Sequence, residues 1–220
     1  ILGNRHVPLD LADVVQSQGT HAERELLGRL EEALCFLASF PEADRRMIRD
    51  VLSVIVSGQE LDLTRFATAS RDKILALKTE EELDDYTYRV AGCVGEFWTR
   101  MCRTHLFPAQ DRDDDWFLHN GIRFGKGLQS VNILRDLASD LRQGRCYLPK
   151  ESLERVGLSP ADLLNPGNEG RLRPIYGAFL DQAHAHLSAG WDYTLGLPRG
   201  QARVRLACAW PVLIGVSTIS

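Results

Sequence analysis

A chain of 220 residues, 44% hydrophobic and 25% charged, is long and apolar enough to bury a core, which excludes an intrinsically disordered segment. Its net charge of −4 leaves no general footprint for nucleic acid, so no nucleic-acid partner is expected and any basic site must be local. The five cysteines (Cys35, Cys93, Cys102, Cys146 and Cys208) show no metal-ligand spacing and are odd in number, as suits reduced core residues of a cytoplasmic protein. No apolar run approaches the roughly 18 residues of a membrane span, and no signal-peptide pattern opens the chain. There is no GxGxxG, phosphate loop or Ser/His/Asp pattern. Ile1 opens the chain without a methionine, and Ser220 closes it directly after an apolar segment. The sequence therefore reads as a piece of a longer one.

In chain order, residues 1–22 hold a short apolar pattern and the pair Asp10/Asp13, read as a solvated helix start. Leu26, Leu27, Leu30, Leu34 and Leu37 recur at helical spacing and predict a helix over 23–40, ended by Pro41. A second helix is expected over 43–67. Gly58 sits inside it at a cost of about 1 kcal/mol relative to alanine, which suggests close approach of another backbone or a ligand. Gln59 and Asp62 follow on adjacent turns, as surface polars or as site groups.

Thr79 and Glu82 fit a capping box, so a third helix should run from Glu80 to about Thr104. Tyr86, Val90, Cys93 and Phe97 share one of its faces. Ala91, Gly92 and Gly95 form a small-residue patch against which a second helix or an isoprenoid tail would fit. The acidic run 111–115 precedes a helix, where it complements the N-terminal dipole; consecutive aspartates cannot all face one ion. A long helix is expected over 116–143, stopped by Gly144 and followed by an extended exit at Tyr147-Leu148-Pro149. Ser159 and Pro160 start a short helix, 165–170 is a loop, and helices over 172–195 and from 200 to the end follow, the last kinked by Pro211. His184 and His186 point to different faces and are not a metal pair. No β-strand is predicted.

The long helix carries the most specific pattern. Gln129, Asn132, Asp136 and Asp140, spaced by three, four and four residues, lie on one polar stripe. Two carboxylates at i,i+4 repel by about 0.2–0.5 kcal/mol when exposed, and a hard divalent cation reverses that sign. Arg135, Arg142 and Arg145 lie near enough in sequence to meet phosphate oxygens. The same spacing also fits an exposed face whose carboxylates pair with neighbouring arginines.

The segments YTYRVAGCVG (Tyr86–Gly95) and LQSVNILRDLASDLRQGRCYLP (Leu128–Pro149) together resemble the squalene/phytoene synthase family, the latter matching its second aspartate-rich motif. GQELDLTRF (Gly58–Phe66) and LACAWPVLIGVST near the end are weaker matches. The resemblance implies an all-α, single-domain isoprenoid-synthase-type helical bundle around a central cavity. Residues 1–220 would be one truncated domain lacking its N-terminal and C-terminal helices.

It further implies head-to-head condensation of two farnesyl diphosphates through a cyclopropylcarbinyl (presqualene-type) diphosphate to a C30 product, squalene first. A phytoene synthase using geranylgeranyl diphosphate and a non-catalytic assembly scaffold are the alternatives. Carried over residue by residue, Asp136 and Asp140, with Asn132, would hold Mg²⁺. Gln129, Asn132, Arg135, Arg145, Gly92 and Val90 would bind substrate, and Tyr86 and Arg135 would act in catalysis. NADPH would be needed for squalene. The oily product implies peripheral membrane contact, and no obligate protein partner is implied. The family's first motif, DxxxD, is missing: Asp10/Asp13 has the wrong spacing, so this chain would supply half of the metal cage.

Overall fold

The computed structural model describes residues 20–108 and 113–220; the Asp10/Asp13 pair and the start of the acidic run lie outside the described residues. The chain divides into two compact units between Ser53 and Val54.

In the first unit, α1 (His21–Gly28) and α2 (Leu30–Ala38) replace the single helix expected over 23–40. The break falls at Arg29, whose backbone leaves the helical region (φ −103°, ψ 12°). Gly28 just before it has the high helix cost that makes a break cheap there. A capping box between Thr20 and Glu23 starts α1. Pro41 separates α2 from α3 (Glu42–Arg65), which carries the chain into the second unit.

The second unit is helical. Its polar start signals act as expected: the Thr79 hydroxyl accepts from Glu82 N at 3.3 Å and opens α4 (Glu80–Thr87). The predicted third helix is not continuous. Tyr88–Gly92 form a π turn, and α5 (Cys93–His105) continues beyond it. Asp113 caps α6 (Asp114–Arg142), which ends where Gly144 takes the left-handed conformation (φ 84°). A side chain at Gly144 would also run into the backbone of Ser70.

Two strand segments not expected from the sequence, β1 (Leu75–Ala76) and β2 (Arg145–Cys146), form a two-residue parallel ladder. Strand pairing this short leaves no alternation to read. Leu77 N–H to Cys146 O (3.1 Å) and Lys150 N–H to Leu77 O (2.8 Å) extend the tie. After α7 (Lys150–Glu154), a 3₁₀ turn at Pro160–Leu164 is held by a capping box from Ser159 to Asp162, and the expected loop contains a second 3₁₀ turn at Pro166–Asn168. Then come α8 (Glu169–Gly196) and α9 (Ala202–Ile219), the latter with Pro211 inside it.

Helix α6 runs through the middle of this unit, packed along α8 and against α5, the π turn and α9. Glycine explains how close α5 comes. A Cβ on Gly95 would overlap the Gly121 carbonyl, and one on Gly125 would overlap the Ala91 carbonyl. The small-residue patch thus meets a second helix. Phe117, Phe124, Tyr193, Leu197, Cys208 and Val212 fill one core between α6, α8 and α9; Leu134, Leu141, Cys146, Leu148, Leu153 and Phe179 fill another under the exit of α6. Contrary to the sequence reading, one segment among the described residues reaches the length and hydropathy of a membrane span. It is α9, 18 residues with a mean hydropathy of 1.3, and 22% of it is buried.

Candidate functional site

The polar stripe of α6 points toward the end of α3 and the start of the π turn. Asp140 is half-buried. Its carboxyl is pushed above the ordinary range, first by burial, then by the charges of Asp136 and Asp62, with Arg145 opposing. Asp136 is more exposed and is held below its ordinary range by Arg135, whose guanidinium forks onto it (Nε–Oδ1 2.9 Å, Nη2–Oδ2 2.6 Å). A half-buried carboxylate with too little positive charge around it, one turn from a second carboxylate, is a donor set that suits a hard divalent cation. Among the described residues no group of three or more His, Cys, Asp or Glu side chains is placed to hold a metal. Metal binding here would rest on the Asp136/Asp140 pair with Asn132 and the ligand's own oxygens.

Beyond Gly144 the chain is extended, so successive side chains alternate. Cys146 and Leu148 are buried in the core, while Arg145 and Tyr147 reach the other way. Both meet Asp62 of α3: Tyr147 Oη donates to Oδ1 at 3.1 Å, and Arg145 Nη1 lies 3.4 Å from Oδ2. Tyr147 stacks on Tyr86 (ring centroids 4.8 Å apart, planes at 24°) and meets Phe66 edge-on at 5.3 Å. Burial pushes the Tyr86 hydroxyl above its ordinary range, the charges of Asp62 and Asp140 add to that, and the neighbouring Tyr147 and Gln129 oppose it.

The structure therefore brings together Tyr86, Gln129, Asp140 and Arg145, drawn from three separate segments. Asp136 stands one turn along the stripe. Arg135 and Asn132 lie exposed at its edge, Arg135 engaged with Asp136. Gly92 is buried, and a side chain there would meet Tyr88, Ile122 and Lys126. Val90 lines an apolar groove of about 480 Å³, with Gly95, Trp98, Phe124, Leu128 and Pro211 among its walls. Two residues emerge that the sequence left undecided or unremarked. Asp62 was open between surface and site, and Tyr147 was read only as part of an extended exit. The π turn two residues after Tyr86 is a feature found often at functional sites.

The polar stripe faces a tyrosine pair and an arginine, and an apolar groove lies beside it on the same helix. The chain belongs to the squalene/phytoene synthase family, whose model matches residues 10–220. It is 34% identical over 180 residues to a 15-cis-phytoene synthase of Synechocystis, covering 80% of this chain and 47% of that protein. It is 30% identical over 155 residues to a presqualene diphosphate synthase of Rhodopseudomonas palustris, covering 70% and 50%.

The fold is similar to that of the squalene synthase HpnC from Alicyclobacillus acidocaldarius (TM-score 0.64, 19% identity, 99% of this chain and 75% of that one). It is also similar to a dehydrosqualene synthase bound to a ligand (TM-score 0.60, 22% identity, 94% and 68%). The chain spans about half the length of these two curated relatives.

Proposed function

We propose that the protein containing this chain joins two prenyl diphosphates head to head through a cyclopropylcarbinyl diphosphate. The observation that carries this reading is the meeting of Asp140, Arg145, Gln129 and Tyr86 beside an apolar groove on one helix. Asp136 and Asp140, with Asn132, would hold magnesium, which when bound supplies charge neutralisation for the departing diphosphate. Arg145 meets the same diphosphate from the exit of α6, and Arg135 does so once it leaves Asp136. Tyr86 presents a π face, negative by its quadrupole, to an allylic cation, and its ring is held by stacking on Tyr147. The groove walls exclude water from the tail and from the cation.

The chain length we assign is C15, giving a C30 product, with NADPH required if that product is squalene. A C20 substrate is the second reading, favoured by the 34% identity to a 15-cis-phytoene synthase. Incubating the full-length protein with magnesium and either farnesyl or geranylgeranyl diphosphate, with and without NADPH, tests both by mass spectrometry of the extract. Squalene appearing only with NADPH establishes a squalene synthase. A C30 product without NADPH moves the assignment to a sister reaction, and a C40 product to the phytoene type. A blank result with both substrates refutes the enzyme reading and leaves a non-catalytic scaffold.

A further inference from the structure

We infer that Asp62 is a positioning residue of this site: one carboxylate fixes the Tyr147 hydroxyl and the Arg145 guanidinium together, and so sets how Tyr86 faces the reacting carbons. The inference rests on the prenyl diphosphate reading above.

Each carboxylate oxygen has its own partner, Tyr147 Oη on Oδ1 (3.1 Å) and Arg145 Nη1 near Oδ2 (3.4 Å). The Asp62 side chain is 14% exposed and that of Arg145 36%, so the carboxylate lies inside and the guanidinium at the rim. An ionised carboxylate can only accept, and a phenol has a single proton to give. Tyr147 spends its single proton on Asp62. The Tyr147 ring in turn stacks on Tyr86 (centroids 4.8 Å apart, planes at 24°), so holding the Tyr147 hydroxyl holds the surface against which the Tyr86 ring rests. One carboxylate on α3 thereby holds the stacked Tyr147/Tyr86 pair in place. Its reach is set by packing: a Cβ on Gly58, one turn before Asp62, would sit 2.8 Å from the Arg89 Cβ, and Arg89 Nη1 reaches Ser57 Oγ at 2.9 Å.

The test compares full-length wild type, Asp62→Asn, Asp62→Ala, Tyr147→Phe and the Asp62→Ala/Tyr147→Phe double variant for kcat, KM and product mixture. Asp62→Ala should lower kcat by on the order of 10²-fold through misplacement, raise KM for the diphosphate and change the product mixture. Asp62→Asn keeps an oxygen for Tyr147 but no charge for Arg145, so it should raise KM and retain most of the wild-type mixture. Tyr147→Phe should change the mixture at near-normal KM, and the double variant should be no worse than Asp62→Ala. A wild-type mixture and KM in Asp62→Ala, with only a lower melting temperature, overturns the inference; so do effects that multiply in the double variant. If wild type turns over no prenyl diphosphate, the functional reading fails. Positioning is then judged from the Cζ resonances of ¹³C-labelled tyrosine: Asp62→Ala must move those of both Tyr86 and Tyr147, and unmoved resonances overturn it.

Discussion

Replacing Asp140 by asparagine should stabilise the metal-free protein and remove most of its response to magnesium. Burial, Asp136 and Asp62 raise the Asp140 carboxyl, and Arg145 offsets them in part. A carboxyl raised on folding binds its proton more tightly in the folded state, so its ionisation subtracts stability as pH rises through the raised value. Repulsion from Asp136 at i,i+4 contributes about 0.2–0.5 kcal/mol. Asp140 also lies in the last turn of α6, where the negative end of the dipole adds about 0.3–1 kcal/mol.

A gain near 1 kcal/mol in a chain of this size moves Tm by about 2–4 °C, and Arg145 trims that toward the lower end. Magnesium should reverse the order. Held at about 100 times its Kd it stabilises wild type by about 2.7 kcal/mol, a shift of roughly 5–10 °C, most of which Asp140→Asn should lose. Thermal melts in chelator and in magnesium with pyrophosphate measure both effects. In wild type the magnesium shift should fade on acidification at a higher pH than an ordinary carboxylate would give, since protonated Asp140 cannot ligate. A variant that melts lower in chelator yet keeps the magnesium shift would refute the assignment and make Asp140 a structural partner.

Gly95→Leu should cost about 3 kcal/mol or prevent folding, because the side chain would enter the Gly121 carbonyl; urea titration reads it. Tyr193→Phe removes the buried hydrogen bond to Thr99 (3.1 Å) and should lower stability by about 1 kcal/mol, visible as a shift in the urea midpoint. Burial, with Arg123 and Lys126, lowers His186 to about 4. Its contribution to stability is therefore lost as pH falls from the unfolded value of 6.5 through about 4, and His186→Gln should flatten the melting-temperature profile across that window. Ala207→Phe narrows the apolar groove and should depress turnover of geranylgeranyl diphosphate more than that of farnesyl diphosphate, with pyrophosphate affinity unchanged.

The residues legible in the sequence were those whose placement depends on local period. Gln129, Asp136 and Asp140 lie on one stripe because a helix puts them there, and Gly144 ends that helix because it takes positive φ. Asp62 was undecidable: its partners, Arg145 and Tyr147, are 83 and 85 residues away, and nothing near it in sequence reports them. The π turn also left no local mark, since one extra residue in a helix changes register without changing composition. The Ala91–Gly95 patch announced close packing but not its partner. Gly121 and Gly125 supply the other half, and only the fold pairs them. Gly92, carried over as a substrate contact, shows the same limit, since a glycine in such a patch serves helix packing and a ligand with the same signature.

Helix α6 joins two environments that suit the two ends of one molecule. Gly121, Phe124, Gly125 and Leu128 face the groove, and Gln129, Asp136 and Asp140 form the charged stretch. From Leu128 to Asp140 the helix climbs about 18 Å at 1.5 Å per residue. A small polar metabolite cannot use both ends of that span, whereas an anionic head with a long hydrocarbon tail can. Where α5 meets Gly121 and Gly125, no side chain keeps the backbones apart, so the groove is walled from that side by main chain that cannot repack as rotamers do. On the prenyl diphosphate reading, tail length would then be set by the movable side chains of the groove, among them Trp98, Leu128, Ala207 and Pro211. Substitutions at Ala207 and Pro211 should therefore change which diphosphate is preferred, and substitutions at Gly121 or Gly125 should change only whether the protein folds.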